Sequence, residues 1–536
     1  MNITAKPGWP LRLGAFLACL LFVLTGLPFI PRVGLQYDEV FFASGIYPPV
    51  LVEYSSQKLH NLPLMLVSYA GALKIWVYRV ILRLFAPTPY ALRVPVLLAG
   101  ALSVFLFFQL LRTMVPGRWA VFGALLLATD AVYLLTSLFD WGPVAFQHVL
   151  LLCGLLAAVR LCESGRPWWG FVSALFFGLA LWDKAIFIWV MAGLAAGLWV
   201  VYPRRAFALL RARWALPLAL CGFLCGTAPL LDYNVRSQGN TFRGNARAPL
   251  SEFPGKLGLL RKTVEGSALF GYMIRDGEAP PANPTGIMEQ VSFCVSNAFG
   301  QPKASLEFLA LLVSTLCMSF LGDGRRAAQF AFLAGAVALV LMISTENAGG
   351  AAHHHVLLWP LPPLLITLVL ADLASRWKPA GGWAAAILAV VLCGSNFLVT
   401  NQYFRQLVQE GTSAIWTDAV FPLDSYLKET RPERIFVVDW GIYEPLRFLG
   451  AGRHNLVPGS DGVVVELKPG GWDGRLNHIR DAGTVFIGHA SGNEVFAGVN
   501  GKLLETASSL GCHKVPLRTI SDSKSRPVFE VFRFGP

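Results

Sequence analysis

Asp38 and Glu39 stand side by side behind Tyr37, where the first long apolar run of the chain gives out. A charge at the centre of a membrane helix costs about 2.5–3.5 kcal/mol, so two adjacent acids belong at the water boundary. There a carboxylate can act as general base toward a hydroxyl. A reaction whose leaving group is a phosphate needs no strong general acid, unlike glycoside hydrolysis with its two cooperating carboxyls. It needs one base, and cations on the departing phosphate. Asp38 fits the base, with Glu39 orienting it or sharing the acceptor. The competing role is solvation of a helix end, and the residues alone leave the two readings level.

Cations suited to a phosphate are few. Arg93, in the run Ala91, Leu92, Arg93, Val94, Pro95, opens the second apolar run. It can hold a lipid phosphate or pair with Asp38 or Glu39, and snorkelling toward headgroups is the simpler role. Asp140, before Trp141, Gly142 and Pro143, closes the third run, and the pair Asp183 and Lys184 sits in a brief hairpin between the fifth and sixth. These charges can rim one headgroup-level cavity or merely pair with one another. His353, His354 and His355 follow Gly349 and Gly350. Consecutive helical positions point about 100° apart, so the three do not share one metal; phosphate contact or proton handling suits them better, against a purely structural turn. Tyr37 and Lys74 complete the substrate contacts. Asp439, Trp440 and Gly441 end a strand, a favourable place for a crevice, although a turn without ligand is the plainer reading. The chain shows no all-protein metal cage.

These residues need a membrane scaffold to hold them. Of 536 residues 55% are hydrophobic and 14% charged, too apolar for a soluble protein of this length. About eleven spans of about 20 residues can be drawn, at 13–30, 90–111, 119–138, 143–161, 168–182, 185–202, 214–231, 304–321, 327–343, 356–373 and 383–400. Arg112 and Arg118, Arg160 and Arg166, Arg204 to Arg213, Arg325 and Arg326, and Arg376 fall in every second loop, which makes those loops cytoplasmic. The N-terminus is then cytoplasmic, and 31–89, 232–303 and everything after 400 face out. Segment 62–85 is apolar enough to suggest another span, but it would reverse every later helix. Its Lys74, Arg79 and Arg83 make it an amphipathic helix in the outer interface. The net charge of +12 is taken up by the cytoplasmic loops and implies no nucleic-acid partner. Most cysteines lie in spans as small hydrophobes; Cys294 and Cys512 fall outside, where no spacing rule pairs them. The first span lacks a cleavage site and reads as a retained anchor. From 401 to 536, β-type runs at 434–439, 484–487 and 528–534 alternate with helical patterns at 414–428 and 503–510, a small α/β domain outside the membrane.

The acidic pair after the first span, the interfacial helix, the Leu92, Arg93, Val94, Pro95 entry and the Asp183, Lys184 hairpin occur together. In this the chain resembles the C-type glycosyltransferase superfamily, in the branch of protein O-mannosyltransferases, lipid A aminoarabinose transferases and galacturonosyltransferase-like enzymes of lipopolysaccharide core. The resemblance covers 10–400. It implies an all-α polytopic domain over 1–400, to which the strand pattern adds the small extracytoplasmic α/β domain, and the richness in Ala and Leu with short loops points to a bacterial inner membrane. It also implies an inverting transferase that moves a sugar from a polyprenyl-phosphate donor to an envelope lipid, glycan or protein. By that resemblance Asp38 is the catalytic base and Glu39 its companion, with Arg93, Lys184, His353 and His354 on the donor phosphate. Members differ on metal, so no cofactor is required by it and a divalent metal stays open. The rivals are a secondary transporter, which would place ionisable groups at mid-membrane on broken helices, and an oligosaccharide ligase or polymerase, which would need a more cationic site for a pyrophosphate.

Overall fold

The computed structural model describes residues 8–47, 58–59, 62–211, 213–243, 250–277, 284–322, 324–377, 379–459 and 476–536. Helix α1 (Trp9–Gly26) ends in a short connection to α2 (Tyr37–Ser44), which carries the acidic pair in its first turn. Two antiparallel ribbons follow, β1 (Lys58–Leu59) with β2 (Leu62–Pro63) and β3 (Met65–Val67) with β4 (Ala70–Gly71), leading into α3 (Leu73–Leu84). Next come α4 (Pro89–Leu111), α5 (Gly117–Thr129), α6 (Ala131–Phe139), α7 (Ala145–Ser164), α8 (Trp168–Asp183), α9 (Phe187–Val201), α10 (Pro203–Arg211) and α11 (Ala215–Arg236). The long loop after α11 carries α12 (Asn240–Arg243), α13 (Phe253–Val264) and α14 (Ile287–Phe299). The helical part closes with α15 (Glu307–Cys317), α16 (Arg325–Ile343), α17 (Ala352–His355), α18 (Leu361–Arg376) and α19 (Ala380–Glu410).

Among the described residues six helices are long and apolar enough to cross a membrane, and three bent pairs raise this to nine. Two shorter apolar helices, Trp168–Asp183 and Glu307–Phe320, lie beside them. The chain is therefore a multi-pass membrane protein. The run at 119–138 is not one straight helix: α5 and α6 meet at 62°. Asp130 makes the break, because its carboxylate accepts from Tyr133 N at 2.8 Å and from Trp359 Nε1 at 2.6 Å. It caps a new helix instead of continuing the old one. The expected interfacial helix at 62–85 is also shorter than drawn. Only 73–84 is helical, and the stretch before it is ribbon. Pro63 and Gly71 explain the difference: a Cβ on Gly71 would stand 2.3 Å from Trp182 O, so the ribbon lies directly on the end of α8.

The C-terminal part, called the outer domain after the side expected for it, adds α20 (Val420–Thr430), β5 (Arg434–Val437), α21 (Tyr443–Leu449), β6 (Leu456–Pro458), β7 (Thr484–His489), β8 (His513–Ser521) and β9 (Pro527–Gly535). Its sheet runs β6-β5-β7-β9-β8, with β5 parallel to β6 and β7, and β9 antiparallel to β7 and β8. One buried apolar cluster joins Leu35, Val40 and Ala43 around α2, Tyr78 of α3 and Val96 of α4 to Leu423, Ile435 and Leu446 of the outer domain. The acid helix is thus packed between the spans and the sheet.

Helices α8 and α11 pack through glycine. A Cβ on Gly222 would meet Phe171 O at 2.2 Å, one on Gly178 would meet Phe223 O at 2.6 Å, and one on Gly226 would meet Leu175 O at 2.5 Å. In a bilayer such close backbone approach is what holds two helices together. Gly222→Val therefore lowers stability by about 1–3 kcal/mol, read as a lower thermal midpoint of the purified protein. Gly255→Val, at a glycine with no atom close to its added Cβ, serves as the control.

Candidate active site

Gln36 begins the site. Its Oε1 accepts from Glu39 N at 2.9 Å, capping α2, and the helix N-terminus favours the two acids that follow. Adjacent helical residues point about 100° apart, so the two carboxylates have different surroundings. Glu39 turns inward and meets Arg93, both essentially without solvent contact, at 0% exposure for Arg93 and 1% for Glu39. The guanidinium grips the carboxylate with Nε at 2.7 Å and Nη2 at 2.9 Å. Its remaining hydrogens go to the carbonyls of Ile30, Val33 and Gly34 at 2.6–2.8 Å, and Phe139 lies under its face at 4.6 Å. This corrects the reading of Arg93 as a phosphate ligand. All five of its donors are committed to Glu39 and the 30–34 connection. Gly34 completes the fixture: its N donates to Trp416 O at 2.9 Å, and a Cβ there would fall 1.7 Å from Thr417 O.

Asp38 is half-buried and faces elsewhere. Among the described residues its one hydrogen-bond donor is Gln36 Nε2, at a long 3.5 Å. Burial pushes its carboxyl up to about 6, against a lowering by Gln36 and Lys184 and with a further rise from Glu444. Lys184 leaves α8 in extended conformation, pairs as a bridge with Ala70, and donates from Nζ to Gly142 O at 2.9 Å. Burial pulls its ammonium down to about 8, while Asp183, Asp140 and Asp38 oppose that. The ribbon supplies Tyr69, whose carbonyl accepts from Ala185 N at 2.8 Å. The long outer loop supplies Tyr272, and burial first, then the charge on Asp38, raises the hydroxyl pKa of both tyrosines.

Lys74 and Asp140 form a second buried pair, Nζ to Oδ2 at 2.7 Å, and Nζ also donates to Asp140 O at 2.9 Å. Asp140 sits at φ 45°, in the left-handed region, with Oδ1 accepting from Val144 N and Ala145 N. It thereby orders the turn that presents Gly142 O to Lys184. Both carboxylate oxygens of Asp183 are buried and without a hydrogen-bond partner among the described residues. His353 lies edge-on to Trp141 at 5.5 Å and so close to Gly142 that a Cβ there would meet its Cδ2 at 2.2 Å. His354 meets its ring edge to face at 4.4 Å, and the Nδ1 atoms of both are likewise unpartnered among the described residues. The histidine turn therefore reaches Lys184 across Gly142. Tyr37 stacks on Trp440 of the outer domain at 4.7 Å.

The site gathers Asp38, Lys184, the Lys74–Asp140 pair, Asp183 and the histidine turn, and leaves Arg93 as scaffold. Among the described residues no group of three or more His, Cys, Asp or Glu is placed to hold a metal ion. Tyr69, Tyr272 and Glu444 were absent from the sequence reading. A tyrosine in a ribbon and one in a long loop carry no local signal, and Glu444 belongs to another domain. Asp439 is a structural knot. Although burial raises it, hydrogen bonds from His489 Nδ1 at 2.8 Å and from the amides of Val495 and Phe496 hold its carboxyl below the usual range.

Residues 72–232 match the family model described as dolichyl-phosphate-mannose-protein mannosyltransferase. That stretch takes in Lys74, Arg93, Asp140, Asp183 and Lys184 and leaves out the acidic pair. Among solved structures the chain is similar to ArnT from Cupriavidus metallidurans bound to undecaprenyl phosphate, at 16% identity and a TM-score of 0.55, over 98% of either chain. It is equally similar to the apo state of the same protein, at 16% identity and a TM-score of 0.55, over 97% of either chain. A search of curated proteins finds no match. The chain thus shares the fold of ArnT across helical and outer parts alike.

The two acids differ in what they stabilise. Removing one partner of a buried, hydrogen-bonded ion pair costs about 3–5 kcal/mol, so Glu39→Gln lowers the thermal midpoint of the purified protein markedly. Asp38→Asn leaves it near that of the wild type.

Proposed function

We propose that the chain is a membrane glycosyltransferase that moves a sugar from a polyprenyl-phosphate donor to a hydroxyl of an envelope lipid, glycan or protein, with inversion at the anomeric carbon. One observation carries this reading. A half-buried carboxylate with one long hydrogen bond among the described residues, Asp38, stands on the short helix that follows the first span, within electrostatic reach of a buried lysine, Lys184. The shared fold with an undecaprenyl-phosphate-bound transferase supports the donor class.

In this reading Asp38 takes the acceptor proton as the acceptor oxygen attacks the anomeric carbon. The carbon–oxygen bond to phosphate breaks, and its electron pair leaves with the phosphate. Lys184 stabilises the charge that develops there, with His353 and His354 beside it. Gly142 O, held by the Asp140 turn, aims the lysine, and Asp183 precedes it at the end of α8. Glu39 acts by fixing α2. A donor on a long isoprenoid presents its phosphate at headgroup depth, which is where a base on α2, in the segment that follows α1, and a cation at the end of α8 can meet it. The same end-of-helix placement speaks against a transporter, whose ionisable groups would lie at mid-membrane. We read 1–400 as the catalytic membrane domain and 401–536 as a periplasmic domain, with the N-terminus cytoplasmic, in a bacterial inner membrane.

Asp38→Asn, expressed in place of the wild type, abolishes transfer. Mass spectrometry of envelope glycans and of the polyprenyl-phosphate sugar pool then shows one sugar missing from an envelope molecule and its lipid-linked donor accumulating, as in cells without the chain. Wild-type glycans in that strain would remove Asp38 as base. Activity also has a window in pH. Below about 6 Asp38 holds a proton and cannot accept one, and above about 8 Lys184 loses its charge. The rate profile is therefore a bell between those limits. Lys184→Ala flattens the alkaline limb and weakens binding of undecaprenyl phosphate about tenfold or more, the loss expected for a charged hydrogen bond.

A further inference from the structure

The geometry points to Glu444 and Arg447, on the outer domain, as positioning residues for Asp38. This rests on the role proposed for Asp38. Helix α2 is held at its first turn by Gln36 and by the Glu39–Arg93 pair. Its last turn is held from the opposite side, by α21. Ser44 Oγ donates to Glu444 Oε2 at 3.1 Å, and Arg447 Nη2 donates to Ser44 Oγ at 3.1 Å. Arg447 Nη1 donates to Tyr47 O at 2.6 Å, and Arg447 Nε donates to Glu444 Oε2 at 3.0 Å. Ser44, Glu444 and Arg447 are all buried, at 0–2% exposure. A second contact lies closer to the chemistry, where Trp440 stacks at 4.7 Å on Tyr37, the neighbour of Asp38. An eight-residue helix is too short to be stable alone, so its orientation is set by what grips its two ends. One grip belongs to the spans and the other to the outer domain.

A buried ion pair used only to stabilise the outer domain would bond within that domain. This one spends the serine hydroxyl and the Tyr47 carbonyl of the membrane part, about 400 residues earlier in the chain. It also places charge beside Asp38. The groups that act on Asp38 are Gln36 from its own segment, Lys184 from the α8–α9 hairpin and Glu444 from α21, while Tyr69 of the ribbon and Tyr272 of the long loop face its charge. The outer domain thus contributes both the angle of α2 and part of the field at its carboxylate.

The test uses the full chain in detergent and needs no sugar donor. Dicyclohexylcarbodiimide couples to protonated carboxyls, so its incorporation at Asp38, followed by mass spectrometry across pH, reads the protonation midpoint. Glu444→Gln removes an anion and lowers that midpoint, and Arg447→Gln lowers it too, because a buried Glu444 stripped of its cation takes up a proton. Each shift is about one pH unit, as for a charge gained or lost nearby. In both variants the amides of residues 40–47 exchange with deuterium about tenfold faster or more, while those of α4 and β7 keep their protection. Unchanged midpoints together with unchanged exchange at 40–47 would overturn the assignment. Should either variant fail to purify, Ser44→Ala retains both charges and removes only the shared hydroxyl. Faster exchange at 40–47 in that variant supports the clamp, and wild-type exchange rejects it. Loss of the proposed base role would appear instead as normal envelope glycans with Asp38→Asn, an outcome separate from either readout.

Discussion

The ion pair between Glu39 and Arg93 is the interaction around which the rest is arranged. Desolvating two charges costs several kcal/mol each, and mutual attraction offsets that only when the remaining hydrogen-bond capacity is also filled. Arg93 fills it with three carbonyls of the 30–34 connection. The same set of bonds that makes the buried charges tolerable therefore also joins α1, α2 and α4 at one point. Gly34 adds Trp416 and Thr417 to that junction because nothing larger than hydrogen fits there.

The junction explains how two adjacent acids have unlike roles. A helix turns its side chains through about 100° per residue, so fixing Glu39 inward leaves Asp38 no choice of direction. It faces the space bounded by Tyr69, Tyr272 and Lys184 with a single long hydrogen bond. Burial raises the carboxyl of each acid, and Glu39 answers it with the Arg93 guanidinium while Asp38 has only Gln36 and the more distant charge of Lys184 among the described residues. The scaffold acid is saturated, and the acid proposed for chemistry is under-coordinated.

Opposite Asp38, the cation is placed by backbone more than by side chains. The β3–β4 ribbon bridges Lys184 and receives Ala185 N, and the Asp140 turn offers Gly142 O to the ammonium. Asp140 is itself held by Lys74 from α3. Three separate segments thus converge on one lysine, and the close seat of Gly71 on Trp182 sets the distance between ribbon and hairpin. The outer domain closes the arrangement, since its apolar core continues through α2 into α4.

Much of this was legible in local sequence, because the signals involved are local. Long apolar runs mark membrane helices by hydropathy alone, and alternating runs after 401 mark strands. An acidic pair behind the first run stands out because charge is costly there. The hairpin at Lys184 is short enough for its place at a helix end to be read directly. What tertiary structure decided is which partner each charge finds. Arg93 reads as a phosphate ligand until Glu39, 54 residues away, is seen to occupy it. The break at Asp130 is invisible in an apolar count, since it depends on Trp359 arriving 229 residues later to share the carboxylate. The ribbon at 62–71 forms where an apolar stretch suggests helix, because it has the end of α8 to lie on. Glu444 and Arg447 give no hint of the acid helix in their own surroundings. Burial and pairing are properties of distances in space, and for charged residues in a membrane protein those distances determine whether a group is scaffold or site.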